Sequence, residues 1–166
     1  MGDLNIMKLN VLDQSPITEG MTPEEALHHT VTLAQELEKM GYSRFWVSEH
    51  HDTAHLAGSS PEVLISYITA KTSTIRVGSG GVMLPHYSAY KVAETFRLLE
   101  ALHPGRIDLG LGRAPGGMPL ATRALQEDKN VDVNKYPQQV LDLIGYLYDA
   151  MPAGHPFEKL LASPAI

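Results

Sequence analysis

Four short apolar runs, "KLNVLD" (8–13), "RFWVS" (44–48), "IRVGSGGVML" (75–84) and "RIDLGLG" (106–112), begin 36, 31 and 31 residues apart. Each gap holds a stretch with helical periodicity, and this alternation constrains the fold more than any other feature of the chain. A strand that rejoins its sheet after one crossover helix runs parallel to its predecessor. The chain is therefore expected to be a series of βα units around a parallel sheet. The unit is structural only, since no sequence self-similarity accompanies it.

The first connecting segment, "TPEEALHHTVTLAQELEKMG", carries signals at both ends. Thr22 can cap a helix, Pro23 suits a first turn whose amides lack partners, Glu25 completes a capping box, and Gly41 supplies the stop. Leu27, Val31, Ala34 and Leu37 form its expected apolar face. A second helix is expected over 60–73, opened by Ser60 and Pro61, and a third over 88–105 with Val92, Phe96 and Leu99 on one stripe. A short helix near 119–128 and a longer one near 135–150, carrying Val140, Ile144 and Leu147, should follow. Residues 151–166 form a Pro-rich tail with no further strand.

Composition narrows the class. With 166 residues, 43% of them hydrophobic, the chain can build one core of ordinary size and reads as a single domain. A net charge of -6 argues against nucleic acid or an anionic membrane as a general partner. The absence of cysteine excludes disulfides, thiolate zinc sites and cysteine nucleophiles, and makes a cytoplasmic location the natural expectation. No apolar run approaches the roughly 20 residues that span a bilayer, and "MGDLNIMKLN" lacks the apolar core of a secretory signal. Met7 could serve as an internal start, with residues 1–6 an extension.

Polar and glycine-rich sequence follows every strand, in "DQSP", "SEHHD", "GSGGVMLPHYS" and "GLGRAPGG". Four βα units fit a small doubly wound sheet or half of an eight-stranded barrel, and both folds build ligand sites at these carboxyl ends. In "WVSEHHD", adjacent strand side chains face opposite ways, so Glu49, His50 and His51 converge on a metal only if the strand has already ended. A metal site is therefore the poorer reading; the default is a histidine pair that caps a loop through backbone hydrogen bonds, and an acid/base role near neutral pH is the alternative. Gly80 and Gly81 inside an otherwise good strand point to a bulge, a strained peptide or the close approach of a flat ligand. In "GLGRAPGG" the spacings of Gly110, Gly112 and Gly116 are two and four, which is not a dinucleotide register; Arg113 could nevertheless hold a phosphate bidentately. His51, His55 and Trp46 read as structural.

A strand followed by "EHH", then "VGSGGVMLPHYSAYKVAE", then "L.ALHPGRIDLGLGRAPGG", resembles the N-terminal half of the bacterial luciferase-like flavin monooxygenase family over roughly residues 7–150. The resemblance implies an α/β fold, the first four strands of a TIM barrel, and chemistry in which reduced FMN and dioxygen oxidise a small organic substrate such as an aldehyde. A related branch uses the deazaflavin F420. By the same resemblance His50 is the catalytic residue, and Glu49, Gly80, Gly81, Gly112, Arg113 and Pro115 bind the cofactor, with a cis peptide between Gly80 and Gly81 and Arg113 on the phosphate. No metal is implied. Luciferases proper carry a reactive cysteine where this chain has Gly112, so light emission from long-chain aldehydes is not carried over. The family also implies a separate NAD(P)H:flavin reductase as partner. Its members continue with a fifth strand, so the 166 residues are expected to be half a protein, inactive alone, with open sheet edges that favour a homo-oligomer. Two other readings remain: a non-catalytic flavin-binding or structural homologue, and a metal-dependent TIM-barrel hydrolase using Glu49 and His50.

Overall fold

The computed structural model describes residues 7–115 and 117–166; the extension 1–6 and Gly116 of the glycine turn lie outside the described residues. The elements are β1 (Asn10–Asp13), α1 (Pro23–Lys39), β2 (Arg44–Val47), α2 (Pro61–Lys71), β3 (Arg76–Met83), a 3-10 turn (Leu84–His86), α3 (Ala89–Leu102), β4 (Ile107–Gly112), α4 (Pro119–Leu125), a second 3-10 turn (Val133–Lys135) and α5 (Tyr136–Leu147). All strand pairs are parallel and the sheet order is β1-β2-β3-β4. A doubly wound sheet reverses its order at a switch point; this one does not, so the sheet is an arc of a barrel. Right-handed crossovers in sequential order place the connecting helices on one face.

Strand alternation divides the side chains between two faces. Phe45, Val47, Val77 and Val82 turn to the helices and form one buried cluster with Val31, Ala34, Leu37, Ile65, Ile68, Val92 and Phe96. Arg44, Trp46, Gly78, Gly80, Asp108 and Gly110 occupy the opposite, concave face, where Leu12 remains 52% exposed. At the amino ends of the strands the Arg76 guanidinium grips the Asp108 carboxylate at 2.6 and 2.9 Å while Arg44 Nε donates to the same carboxylate at 3.0 Å. The three strands β2, β3 and β4 are thereby fixed at one end, which aligns their carboxyl tips at the other.

Helix α1 has the expected capping box: Thr22 Oγ1 accepts from the Glu25 amide at 3.2 Å, and Glu25 Oε2 accepts from the Thr22 amide at 2.8 Å. Gly41 follows with φ +82, the left-handed stop that glycine supplies. Its buried face differs from expectation, being Ala26, Thr30, Val31, Ala34 and Leu37 with Leu27 only half-buried. The cause is polar: Thr30 Oγ1 donates to Asp13 Oδ2 at 2.6 Å, turning that side of the helix towards the tip of β1. Helix α2 begins at Pro61, and Ser60 makes no side-chain cap bond. On α5, Leu143, Gly145 and Tyr146 are buried while Ile144 is 47% exposed. The tail folds back on that helix, so close that a Cβ on Gly145 would meet Met151 Sδ at 2.2 Å. Arg97 of α3 anchors the tail by donating to the Ala162, Pro164 and Leu147 carbonyls and to Asp149 Oδ1.

Glu38 closes the lower rim, accepting from the amides of Ser73, Thr74 and Ile75 at 2.8, 2.7 and 2.9 Å. Burial pushes its carboxyl up, but the amides of Ile75, Thr74 and Ser73 outweigh this and hold it below the ordinary carboxylate range. A carboxyl lowered by folding stabilises above its unfolded value, and that stability is lost as pH falls through the folded one. Glu38→Ala should therefore cost about 1 kcal/mol in urea melts at neutral pH, the carboxylate being screened by solvent, and the gap from wild type should close in acid. A gap that persists in acid would show that the carboxylate is not its source.

Strands β1 and β4 are the sheet edges, and β4 has no second strand partner among the described residues. Unpaired amides and carbonyls beside apolar side chains favour pairing with another chain. As these 166 residues alone, the chain should self-associate at micromolar concentration by light scattering; a monodisperse monomer would contradict the edge argument.

Candidate active site at the strand tips

The tip of β2 turns immediately after Val47. Glu49 is 1% exposed, and its two oxygens already serve the protein: Oε2 accepts from the Met83 amide at 2.8 Å, and Oε1 accepts from the Tyr87 hydroxyl and pairs with His51 Nε2 at 2.8 Å. Glu49 thus stands as a buried anchor between the ends of β2 and β3. Burial, then the hydrogen bond and charge of Glu49, push the Tyr87 hydroxyl well above its ordinary value, so it remains a donor to the carboxylate.

His50 takes the other direction. Its Nδ1 lies 3.1 Å from Ser48 Oγ and its amide donates to the Gly58 carbonyl at 3.0 Å. The ring is half-buried, and Nε2 has no hydrogen-bond partner among the described residues. His50 and His51 therefore separate onto different partners, and among the described residues no group of three His, Asp or Glu is arranged to hold a metal ion. The loop after β1 braces this one, with Ile17 N–H donating to the His55 carbonyl at 2.8 Å and Ala57 N–H to the Ser15 carbonyl at 2.9 Å. His55 acts there through its backbone.

On β3 the Gly80–Gly81 peptide is cis, where the resemblance implied it. Pairing with β4 slips by one residue between Ser79 and Val82, so the glycine pair forms a bulge. The two glycines face different neighbours. A Cβ on Gly81 would meet the β4 backbone at Leu111 C (2.8 Å) and Gly110 O (3.0 Å), whereas one on Gly80 would meet Leu12 and Trp46 side chains at 3.1 and 3.3 Å. Gly80 is exposed on the concave face. The result is a bare stretch of backbone floored by Leu12 and Trp46, able to lie against a flat ring. Trp46, read from the sequence as packing, also borders Gly78, where a Cβ would fall 2.7 Å from its Cζ3.

The β4 tip carries Gly112, Arg113 and Pro115. Arg113 and Pro115 are exposed, and Arg113 makes no ion pair among the described residues. Gly112 packs under Met83, whose Sδ would lie 2.7 Å from an added Cβ. The Pro115 carbonyl is held by His86, and a Cβ on Gly117 would meet the His51 carbonyl at 2.8 Å, so this loop rests on the β2 tip. The structure brings Glu49, His50, the glycine pair and the Arg113 loop to one end of the sheet. It adds Tyr87 and His86, for which spacing along the chain offered no signal, and gives His51 the structural part of pairing with Glu49.

Comparison with known proteins decides the family. The sequence model of the luciferase-like monooxygenases matches residues 7–134. The chain belongs to that family. It is 62% identical over 161 residues to the uncharacterized protein YwcH of Bacillus subtilis, and 50% identical over 161 residues to the N-acetyl-S-alkylcysteine monooxygenase of the same organism; each alignment covers 97% of this chain and 48% of the relative. The crystal structure of apo-MsnO8 superposes with a TM-score of 0.86 at 46% identity, covering 96% of this chain and 46% of that one. Fold similarity extends to the oxygenating component of 3,6-diketocamphane monooxygenase from Pseudomonas putida, determined in complex with FMN (TM-score 0.71, 19% identity, 87% of this chain and 40% of that one). It also reaches an F420-dependent secondary alcohol dehydrogenase (TM-score 0.61, 15% identity, 85% and 41%). The chain spans about half the length of the curated relatives it matches. No helix among the described residues is long and apolar enough to cross a membrane.

Proposed function

We propose that this chain forms the cofactor-facing half of a flavin-dependent monooxygenase that inserts one atom of dioxygen into a small organic molecule. The observation that carries the reading is the convergence, at one end of the sheet, of the bare Gly80–Gly81 backbone with His50 Nε2 and the Arg113 guanidinium, neither of which has a polar partner among the described residues. A flat ring fits the glycine backbone, and a phosphate suits the exposed guanidinium, so the residues present fit FMN. Reduced FMN, when bound, supplies the two electrons with which dioxygen yields one inserted oxygen atom and one water.

The chain's own groups divide the remaining work. Arg113, with Gly112 and Pro115 beside it, holds the phosphate; Gly80 and Gly81 present backbone to the ring. His50 Nε2 holds or moves a proton at the reacting end, with Ser48 orienting the ring through Nδ1. Glu49 acts from behind, fixing His51 and Tyr87. The 50% identity to an N-acetyl-S-alkylcysteine monooxygenase makes a thioether the first substrate class to test, ahead of an aldehyde. F420 is the runner-up cofactor, supported by fold likeness alone. A separate NAD(P)H:flavin reductase supplies the reduced flavin. Turnover belongs to an assembly in which further strands close the barrel, because four strand tips enclose only one side of the ligand.

Two variants test these assignments in a chimera that continues this chain with the second half of the Bacillus subtilis N-acetyl-S-alkylcysteine monooxygenase. His50→Ala should lower turnover by on the order of a hundredfold with flavin affinity nearly unchanged; undiminished turnover would remove His50 from the mechanism. Arg113→Ala should weaken FMN by roughly 2 kcal/mol while sparing riboflavin, which has no phosphate. Equal losses for both ligands would mean that the arginine serves the fold instead.

A further inference from the structure

His86 has no part in the function proposed above, yet it touches the loop after β4 and the turn after α4 beside the proposed phosphate site. Its Nε2 is 2.7 Å from the Pro115 carbonyl, two residues beyond Arg113. A carbonyl can only accept, so Nε2 carries the hydrogen. Nδ1 lies 3.0 Å from Gln126 Nε2, just past the end of α4. The ring also stands edge-on to His51 at 6.4 Å and to Tyr87 at 6.0 Å, the two side chains that Glu49 holds. One imidazole therefore connects the end of β3, the loop after β4 and the turn after α4.

Apart from Gly117 packing on the His51 carbonyl, the loop after β4 has few contacts that place it. Arg113, Ala114 and Pro115 are exposed, and no side-chain hydrogen bond other than that from His86 reaches them among the described residues. A guanidinium must be held in position to grip a phosphate in two places at once. We infer that His86 is a positioning residue for the Arg113 loop: its Nε2–H clasps the Pro115 carbonyl and sets Arg113 for the phosphate of a phosphorylated flavin. The ligand half of this inference rests on the function proposed above; the clasp itself does not.

The test has two arms. Limited trypsin digestion of the native 166-residue chain reads the loop directly, because Arg113–Ala114 is a trypsin site and Lys159 in the tail provides an internal reference. His86→Ala should raise cleavage after Arg113 about fivefold, the scale of one lost hydrogen bond, without changing cleavage after Lys159 or the unfolding midpoint. His86→Gln, whose amide can also donate, should restore most of the protection. In the completed-barrel chimera, His86→Ala should weaken FMN about fivefold and leave riboflavin unchanged, a selectivity that general damage to the fold would not produce. Unchanged cleavage after Arg113, or equal acceleration at Lys159, would overturn the clasp. Equal loss of FMN and riboflavin would overturn the positioning role. If the wild-type chimera takes up neither flavin while the cleavage arm behaves as expected, the functional reading fails and the positioning role with it, but the clasp stands.

Discussion

The site end of the molecule is organised around one buried carboxylate. Removing Glu49 from water costs several kcal/mol unless its oxygens are satisfied, and the fold satisfies them from three sources: the Met83 amide, the Tyr87 hydroxyl and His51. Each donor sits on a segment that must be placed for the bond to form. The Met83 amide fixes the end of β3 relative to β2, Tyr87 fixes the turn leading into α3, and His51 fixes the loop that departs from β2. Because His51 is held by Glu49, its neighbour His50 is released to the other side, where Ser48 receives it. A single acidic residue thus separates two adjacent histidines into an anchored one and a free one.

The glycines act on the same geometry through space. The concave face carries Gly78, Gly80 and Gly110 around the Trp46 indole, and a side chain at Gly78 or Gly110 would collide with the neighbouring strand or the indole itself. Ser79 Oγ donates to the Gly110 carbonyl and accepts from the Gly110 amide, holding β3 and β4 together where the bulge interrupts their ladder. The backbone at Gly80 can then stand exposed without loosening the sheet. Local irregularity at the site is compatible with a rigid scaffold because the polar groups freed by the bulge find partners within one residue.

Much of the fold could be read from the chain. Thr22, Pro23, Glu25 and Gly41 bounded α1 because caps are local chemistry, and the strand spacing gave the parallel sheet because crossover length limits topology. The choice between barrel arc and doubly wound sheet depended on strand order, which no local signal encodes. Leu27, expected on the apolar face of α1, is only half-buried because periodicity fixes a helix face only to within a residue or so; Thr30 bonding to Asp13 settled the actual face. The same limit applies at the site. "EHH" and the glycine pair stand out as sequence, whereas Tyr87 and His86 do their work 38 and 29 residues away from their partners, a relation that exists only once the strands are in register.

The central claim is that the free histidine, the bare glycine backbone and the Arg113 loop serve oxygen insertion driven by a reduced flavin. Isotope incorporation tests it most directly. The completed-barrel protein, supplied with reduced FMN, an N-acetyl-S-alkylcysteine and 18O-labelled dioxygen, should yield a product containing one labelled oxygen atom, with no label when the oxygen is unlabelled and the water is labelled. Product that takes its oxygen from water, or flavin that is reoxidised with no oxygen entering any member of a thioether and aldehyde panel, would contradict the account.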